Sequence, residues 1–175
     1  MSKGESRPKH SVMYLVLAPV WVAALVLLDQ RIKLFAQTEL KGTAGNTLIP
    51  GILGLRYVEN HGMAFGLLQN ARIFFIVVTV LVLILFGLIY LAIPEKKRFF
   101  PLSAGVILMS AGAIGNFIDR LRLGYVIDYL NLEFISFPVF NLADCFLTWT
   151  AVVMAILLVF VYKNDDLEQI RIWKK

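Results

Sequence analysis

The sequence predicts a polytopic all-α membrane protein with four transmembrane helices and a small β-rich segment outside the membrane. Two observations predict this fold class. The chain of 175 residues is 59% apolar and has a mean hydropathy of +0.75, which is more than a soluble domain of this length needs. Its charged residues, 17% of the chain, are bunched, so long runs carry no ionisable side chain at all.

Four such runs are long enough to cross a bilayer. About twenty helical residues, each rising about 1.5 Å, span a hydrocarbon core of roughly 30 Å. The runs lack the alternation of a barrel strand, and helices satisfy their own backbone hydrogen bonds in lipid. Charged residues follow the first run where a signal peptide would have a cleavage motif, so this run is predicted to stay as an anchor. The predicted spans are residues 11–28, 73–93, 99–118 and 145–162.

The basic residues predict the orientation. They collect before the first span, between the second and third, and after the fourth, and these sides are predicted to be cytoplasmic. Both termini would then be cytoplasmic, with residues 29–72 and 119–144 on the outer side. The same bias explains the net charge of +5 without a nucleic acid partner. The basic residues concerned are Lys3, Arg7, Lys9, Lys96, Lys97, Arg98, Lys163, Arg171, Lys174 and Lys175.

The outer segments have the character of β structure. Residues 43–65 read "TAGNTLIPGILGLRYVENHGMAF", with several glycines and a Pro-Gly pair between strand-like stretches. A further strand-like stretch, "YVIDYLNLEF", occupies residues 125–134. We expect a hairpin or small sheet at the membrane surface. No repeat or separable second domain is visible, so residues 1–175 are predicted to form a single membrane-embedded domain.

Polar residues collect at the predicted outer helix ends. Asp29 and Lys33 are spaced as a helical ion pair, which either ends the first helix in water or orients an active site. Gly112, Asn116 and Asp119 share one face of the third helix, where the glycine allows another helix or a ligand to approach closely. The next residue, Arg120, offers a planar five-donor group to Asp119 or to a substrate carbonyl; a purely structural network is the alternative.

Two aspartates stand out in the second outer segment. Asn141 and Asp144 are spaced as a capping box at the start of the fourth helix, which could account for Asp144. Capping does not explain Asp128, which lies between apolar neighbours. If the loop folds back to bring Asp128 to Asp144, the two carboxyl groups share one proton, as in an aspartic peptidase. Aspartate pairs also serve as ion sites in small ion-coupled transporters.

Metal and thiol chemistry find little support in the sequence. His10, His61 and Cys145 are far apart, so no Cys/His metal site is predicted. As the only cysteine, Cys145 cannot form an internal disulfide. Because no histidine is close in sequence, Cys145 is interpreted as a small buried apolar residue and not as a nucleophile.

Five motifs in order, "LDQRIK", "ENHGMAFG", "AGAIGNFIDR", "GYVIDY" and "VFNLAD", resemble those of the lipoprotein signal peptidases, the bacterial type II signal peptidases. The resemblance implies an intramembrane aspartic endopeptidase of the bacterial cytoplasmic membrane that needs no metal or cofactor and is inhibited by globomycin. Its substrates would be diacylglyceryl-modified prolipoproteins, cleaved on the amino side of the lipidated cysteine. We expect a monomer with its active site near the outer face, in contact with membrane lipid.

The resemblance also assigns residues. It implies that Asp128 and Asp144 are the catalytic pair. Two departures from the family pattern are Ala111, where glycine is usual, and Tyr129, where phenylalanine is common. Both are conservative and neither changes an acid. The supporting residues that it implies are Asp29, Lys33, Asn60, Gly62, Asn116, Asp119, Arg120 and Asn141, to which the helix-face argument adds Gly112.

Overall fold

The computed structural model describes residues 10–62 and 71–170. It is mostly helical and has one small sheet. Two strands of the sheet follow the first long helix in sequence, and the third strand follows the third long helix. The long helices are α1 (Val12–Glu39), α2 (Arg72–Ala92), α3 (Phe100–Arg122) and α4 (Leu142–Ile156), and α4 continues as a π-helical turn over Leu157–Val161. The strands are β1 (Asn46–Ile49), β2 (Leu53–Asn60) and β3 (Val126–Leu132), and a short helix α5 (Asn164–Leu167) follows.

Within the part of the chain that the structure describes, four helices are long and apolar enough to cross a membrane, as predicted. Half of the apolar stretch of α3 is buried inside the protein, compared with 6% of the corresponding stretches of α2 and α4. Helix α3 packs against α1, α2 and α4, so it is the central helix of the bundle. The exposed leucine, valine and phenylalanine side chains of the outer helices are what a lipid-facing surface requires.

Helix α1 is longer than the span that the sequence predicted. The first charges after residue 28 do not end it, because Asp29 and Lys33 are 0% and 1% exposed and face the bundle. The helix continues to Glu39, and its last part covers one face of the sheet, where Ala36 packs with Tyr129. Of the two interpretations of Asp29 and Lys33, the one that ends the helix in water is therefore wrong. A charged pair does not end a helix when the bundle supplies its partners.

The sheet has the order β1-β2-β3 and is antiparallel throughout. The predicted hairpin is therefore confirmed, and residues 126–132 of the second segment that was predicted to be outside add the third strand. Pairing of Val58 with Asp128, and of Asn60 with Val126, brings the end of β2 beside Asp128. Glu133 secures the hairpin turn by accepting hydrogen bonds from Thr47 Oγ1 and the Gly51 amide, both at 3.0 Å. Residues 63–65 of the predicted segment lie outside the described residues.

Close contact between α3 and α4 depends on Gly112. A Cβ atom at this position would lie 2.5 Å from the carbonyl oxygen of Ala143. We expect Gly112→Ala to force the two helices apart and to lower the free energy of unfolding by about 1–3 kcal/mol, measured as a fall in Tm in detergent. The control is Gly87→Ala in α2, because nothing lies within 4 Å of a Cβ atom there. Equal melting temperatures for the two variants would contradict this role of Gly112.

Candidate active site

Asp128 lies on β3 and is 2% exposed. Both carboxyl oxygens accept hydrogen bonds from side-chain amides: Oδ1 from Asn141 Nδ2 at 2.6 Å, and Oδ2 from Asn60 Nδ2 at 2.9 Å. Asn60 is held in turn by the Gly62 amide, which donates to its Oδ1 at 3.0 Å. Burial, followed by the charge of Asp144, raises the pKa of Asp128 to about 7. A carboxyl group in this state can keep its proton near neutral pH.

Asp144 lies in the first turn of α4. The predicted capping box is present: the Asn141 side chain accepts from the Asp144 amide at 3.0 Å, and Asp144 Oδ2 accepts from the Asn141 amide at 3.1 Å. The other carboxyl oxygen accepts from Asn116 Nδ2 at 2.7 Å. Capping thus accounts for one carboxyl oxygen of Asp144, and the other oxygen is bound by Asn116 of α3.

Two asparagines link the aspartates. Asn141 Nδ2 donates to Asp128 and also, at 3.2 Å, to Asn116 Oδ1, while Asn116 donates to Asp144. The two carboxyl groups are therefore connected through an amide chain that runs from β3 through the start of α4 to α3. Buried polar networks of this kind are rigid when every member is satisfied. The family resemblance implied that these residues belong to one site, but it did not reveal the connection.

A buried ion cluster lies behind this chain. The Lys33 ammonium contacts Asp29 Oδ2 at 3.0 Å, Asp119 Oδ2 at 2.8 Å and Asn116 Oδ1 at 2.9 Å, so all three of its donors have acceptors. Gln30, which the sequence reasoning missed, donates to Asp119 Oδ1 at 2.9 Å and to the Gly115 carbonyl at 3.2 Å. The sequence feature that could have indicated a role for Gln30 is its position directly after Asp29, at the end of an apolar run. The cluster joins α1 to α3 below the aspartates.

The start of α4 is held by side chains from three parts of the chain. The amide of Leu142 donates to Tyr129 Oη at 3.2 Å, that of Ala143 to Asp29 Oδ1 at 3.1 Å, and that of Asp144 to the Asn141 side chain. A helix start leaves such amides without helical partners, so each bond satisfies one of them. Burial raises the pKa of the Tyr129 phenol, which therefore stays neutral. The tyrosine that departs from the family pattern is thus part of the framework around Asp144.

Both aspartates line a cavity of about 540 Å³. The Arg120 guanidinium lies over the Phe75 ring at 4.6 Å and also lines the cavity. Among the described residues, none forms an ion pair with Arg120 within 4.0 Å. Cys145 is half-buried and lines the cavity, so the interpretation of a fully buried residue is wrong. Other lining residues are Asn60, Gly62, Val78, Thr79, Ala113, Asn116, Leu132, Phe137, Thr148 and Trp149.

The predicted supporting residues fall into three groups. Asn60, Gly62, Asn116 and Arg120 line the cavity. The second group lies behind the cavity and makes the contacts described above: Asp29, Lys33, Asp119 and Asn141. Gly112 stands apart, because it serves the contact between α3 and α4. Within residues 10–62 and 71–170, no three His, Cys, Asp or Glu side chains are arranged to hold a metal ion.

Comparison with known proteins gives consistent results. The family model for signal peptidase (SPase) II matches residues 21–160. A lipoprotein signal peptidase of Streptococcus thermophilus strain CNRZ 1066 is 41% identical over 151 residues, covering 86% of this chain and 97% of its own. The corresponding protein of Enterococcus faecalis is 41% identical over 140 residues, covering 80% and 83%.

Solved structures agree. A bacterial membrane enzyme determined by the in meso method at 2.3 Å resolution has a TM-score of 0.74 and 29% identity, and the match covers 89% of this chain and 93% of that one. A second structure of a bacterial membrane enzyme, at 1.9 Å, has a TM-score of 0.73 and 29% identity over 90% of this chain and all of that one. The chain belongs to the signal peptidase II family.

Proposed function

We propose that Asp128 and Asp144 are the catalytic pair of this peptidase, which removes the signal peptide from prolipoproteins by cleaving on the amino side of a diacylglyceryl-modified cysteine. Membership of the signal peptidase II family makes the protein an aspartic peptidase of this class. The observation that carries the residue assignment is that a buried carboxyl group, Asp128, and a partly buried one, Asp144, line one cavity and are linked by the same two asparagines.

Such a pair supplies both proton transfers that peptide hydrolysis needs. The ionised carboxylate takes a proton from a water molecule, whose oxygen attacks the scissile carbonyl carbon, while the protonated carboxyl group donates to the carbonyl oxygen. When the tetrahedral intermediate collapses, the carboxyl group that took the proton from water gives it to the leaving amine and the C–N bond breaks, while the other carboxylate takes back the proton from the former carbonyl oxygen. The products are the carboxyl end of the signal peptide and the free amino group of the lipidated cysteine. No other reactant is consumed.

The cavity walls suit a lipid-modified peptide. Phe75, Val78 and Phe137 supply apolar surface, which fits acyl chains, and Arg120 supplies N–H donors for substrate carbonyl oxygens. Ligand sites of this kind combine apolar walls with a few polar groups that set orientation. Binding of substrate lipid in this cavity, the monomeric state and the single-domain organisation remain predictions.

The proposed orientation puts the sheet at the outer membrane surface and both termini in the cytoplasm. It is supported by the basic residues of the sequence and by the tip of the sheet, where apolar side chains are exposed. Leu48, Ile49 and Ile52 expose 54%, 49% and 52% of their surface, and Phe134 exposes 60%. Aromatic and aliphatic residues in such positions are typical of a membrane interface. The cavity would then open near the outer face.

The transporter alternative fits the geometry less well. Ion sites in such proteins lie near the bilayer midplane on broken helices. Here Asp144 is in the first turn of α4 and Asp128 is on a strand. Both acids thus lie at the end of the bundle where the sheet is found, which favours hydrolysis of a substrate that meets water there.

The direct test is to incubate the purified protein with a diacylglyceryl-modified prolipoprotein and to measure product masses. We expect a product that begins with the lipidated cysteine, together with the released signal peptide. The same precursor without the lipid is the control, and we expect it to be cleaved far more slowly. Cleavage at another bond, or no cleavage by a folded protein, would contradict the proposal.

The rate should depend on pH in a predictable way. Because the pKa of Asp128 is raised to about 7, the pair keeps one proton below this pH and loses it above. The proton donor is then missing, so kcat/KM should fall as pH rises through this value; at acid pH it should fall again when both groups are protonated. The measurement is kcat/KM against pH with a fixed lipid composition. A rate that stays constant from pH 6 to about 9 would contradict a single shared proton.

A further inference from the structure

We infer that the two aspartates have fixed and different roles: in the resting enzyme Asp144 carries the negative charge and is the base, whereas Asp128 carries the proton and is the acid. This inference rests on the proposed function and deepens it. It follows from the different surroundings of the two carboxyl groups. If the proton were shared equally, these surroundings would have to be equivalent.

The position of Asp144 stabilises a negative charge. Its carboxyl group lies in the first turn of α4, where the helix dipole presents partial positive charge. Both oxygens accept N–H donors, one from the Asn141 backbone at 3.1 Å and one from the Asn116 side chain at 2.7 Å. Hydrogen bonds to a charged acceptor are stronger than those to a neutral one. Each of these contacts therefore favours the ionised form.

Lys33 strengthens one of these contacts through Asn116. The ammonium group can only donate, so the atom of Asn116 that faces it at 2.9 Å must be the amide oxygen. The amide nitrogen must then face Asp144, and the orientation is not open to a flip. A full positive charge on the oxygen side polarises the amide and makes its N–H groups better donors. Lys33 is 1% exposed, so water does not screen this effect.

Asp128 has weaker support for a negative charge. It lies on a strand, which has only a small net dipole. Its donors are the side-chain amides of Asn60, at 2.9 Å, and of Asn141. The Asn60 oxygen accepts from the Gly62 amide and, within residues 10–62 and 71–170, contacts no cation, unlike that of Asn116. When one proton is shared, it stays on the carboxyl group whose ionised form is less stabilised, which here is Asp128.

The other charged groups do not reverse this order. From α3, Arg120 lines the same cavity, and its charge acts on both aspartates, more strongly on Asp144 than on Asp128. From α1, Lys33 acts on both aspartates, but it is linked to Asp144 through the single amide of Asn116 and to Asp128 only through two amides, those of Asn116 and Asn141. The negative groups Asp29 and Asp119 are in direct contact with Lys33 on its far side.

The two asparagines provide a matched pair of tests. Asn116→Ala removes a donor from Asp144, and Asn60→Ala removes a donor from Asp128. We would measure kcat/KM against pH for both variants and the wild type in the same lipid. We expect Asn116→Ala to move the acidic limb of the profile up by about one pH unit and to leave the basic limb in place. Asn60→Ala should move only the basic limb upward, because the acid then ionises at higher pH.

Two outcomes would overturn the inference. One is the reverse pattern, in which Asn60→Ala moves the acidic limb. The other is a uniform loss of rate with neither limb moved, which is what a merely structural role predicts. If Asn116→Ala does not fold, carbon NMR of wild-type protein labelled at the aspartate carboxyl carbons decides. Between the limbs, the Asp144 signal should be that of a carboxylate and the Asp128 signal that of a protonated acid; the opposite pair of signals would overturn the assignment.

These tests separate the inference from the proposed function. The two carboxyl signals would be assigned by their loss in Asp128→Asn and Asp144→Asn. Reversed limbs or reversed NMR signals would leave the catalytic pair intact and change only the roles. Cleavage that survives either of these substitutions would instead remove the proposed function itself.

Discussion

Replacement of Asp128 or Asp144 by asparagine is expected to reduce kcat/KM by about 10²- to 10⁴-fold, because an amide can neither take nor release the proton that each step requires. The fold should survive. Asparagine has nearly the same shape as aspartate, and its oxygen can still accept from Asn141 or from Asn116. The measurement is cleavage of lipid-modified precursor by variants that elute and melt like the wild type.

The matched control for this prediction is Asp165→Asn. Asp165 is an exposed residue of α5, which follows the end of α4 that is remote from the cavity. The substitution therefore makes the same chemical change away from the site. We expect it to retain wild-type activity. A folded Asp128→Asn or Asp144→Asn protein with more than about one hundredth of the wild-type rate would contradict the catalytic pair.

The largest expected effect on stability comes from Lys33→Met. Methionine has a similar length but no charge, so Asp29 and Asp119 would be left as buried carboxylates without the cation that contacts both at about 3 Å. Removing one partner of a buried ion pair costs about 3–5 kcal/mol. We expect a fall in Tm of the detergent-solubilised protein, with partial recovery in the double variant Lys33→Met, Asp29→Asn, because one of the two orphaned charges is then removed.

Lys41→Met is the control for Lys33→Met. Lys41 forms an ion pair with Glu59 at 2.8 Å, but the two side chains are 52% and 32% exposed. Exposed pairs contribute about 0–1 kcal/mol, so this substitution should change Tm little. If both lysine variants lose the same amount of stability, the buried cluster is not the element that holds α1 to α3.

Much of the site followed from local patterns. The four spans follow from uninterrupted apolar runs, because lipid admits helices of a set length. The capping box of Asn141 and Asp144 follows from spacing, since N-cap and N3 are always neighbours. The shared face of Asn116 and Asp119 follows from helical period, and both are buried in α3.

Other parts of the site could not be predicted from these patterns. The apolar run predicts a first span that ends at residue 28, because a charge after an apolar run usually marks the membrane boundary. Whether such a charge is solvated or paired depends on the helix packed against it. Gln30 and Tyr129 were not assigned roles for the same reason, since their partners are Asp119 and Leu142, far along the chain.

The sequence by itself thus determined the four apolar helices and the family, and it indicated the candidate pair of acids, because apolar length, helical spacing and five ordered motifs are local properties of the chain. Only the tertiary structure decided that α1 extends behind the sheet, that Lys33 contacts Asp29, Asp119 and Asn116, and that two asparagines link the aspartates. These are contacts between residues that lie far apart in sequence. Their energies depend on distance, burial and donor direction, which exist only once the helices have packed.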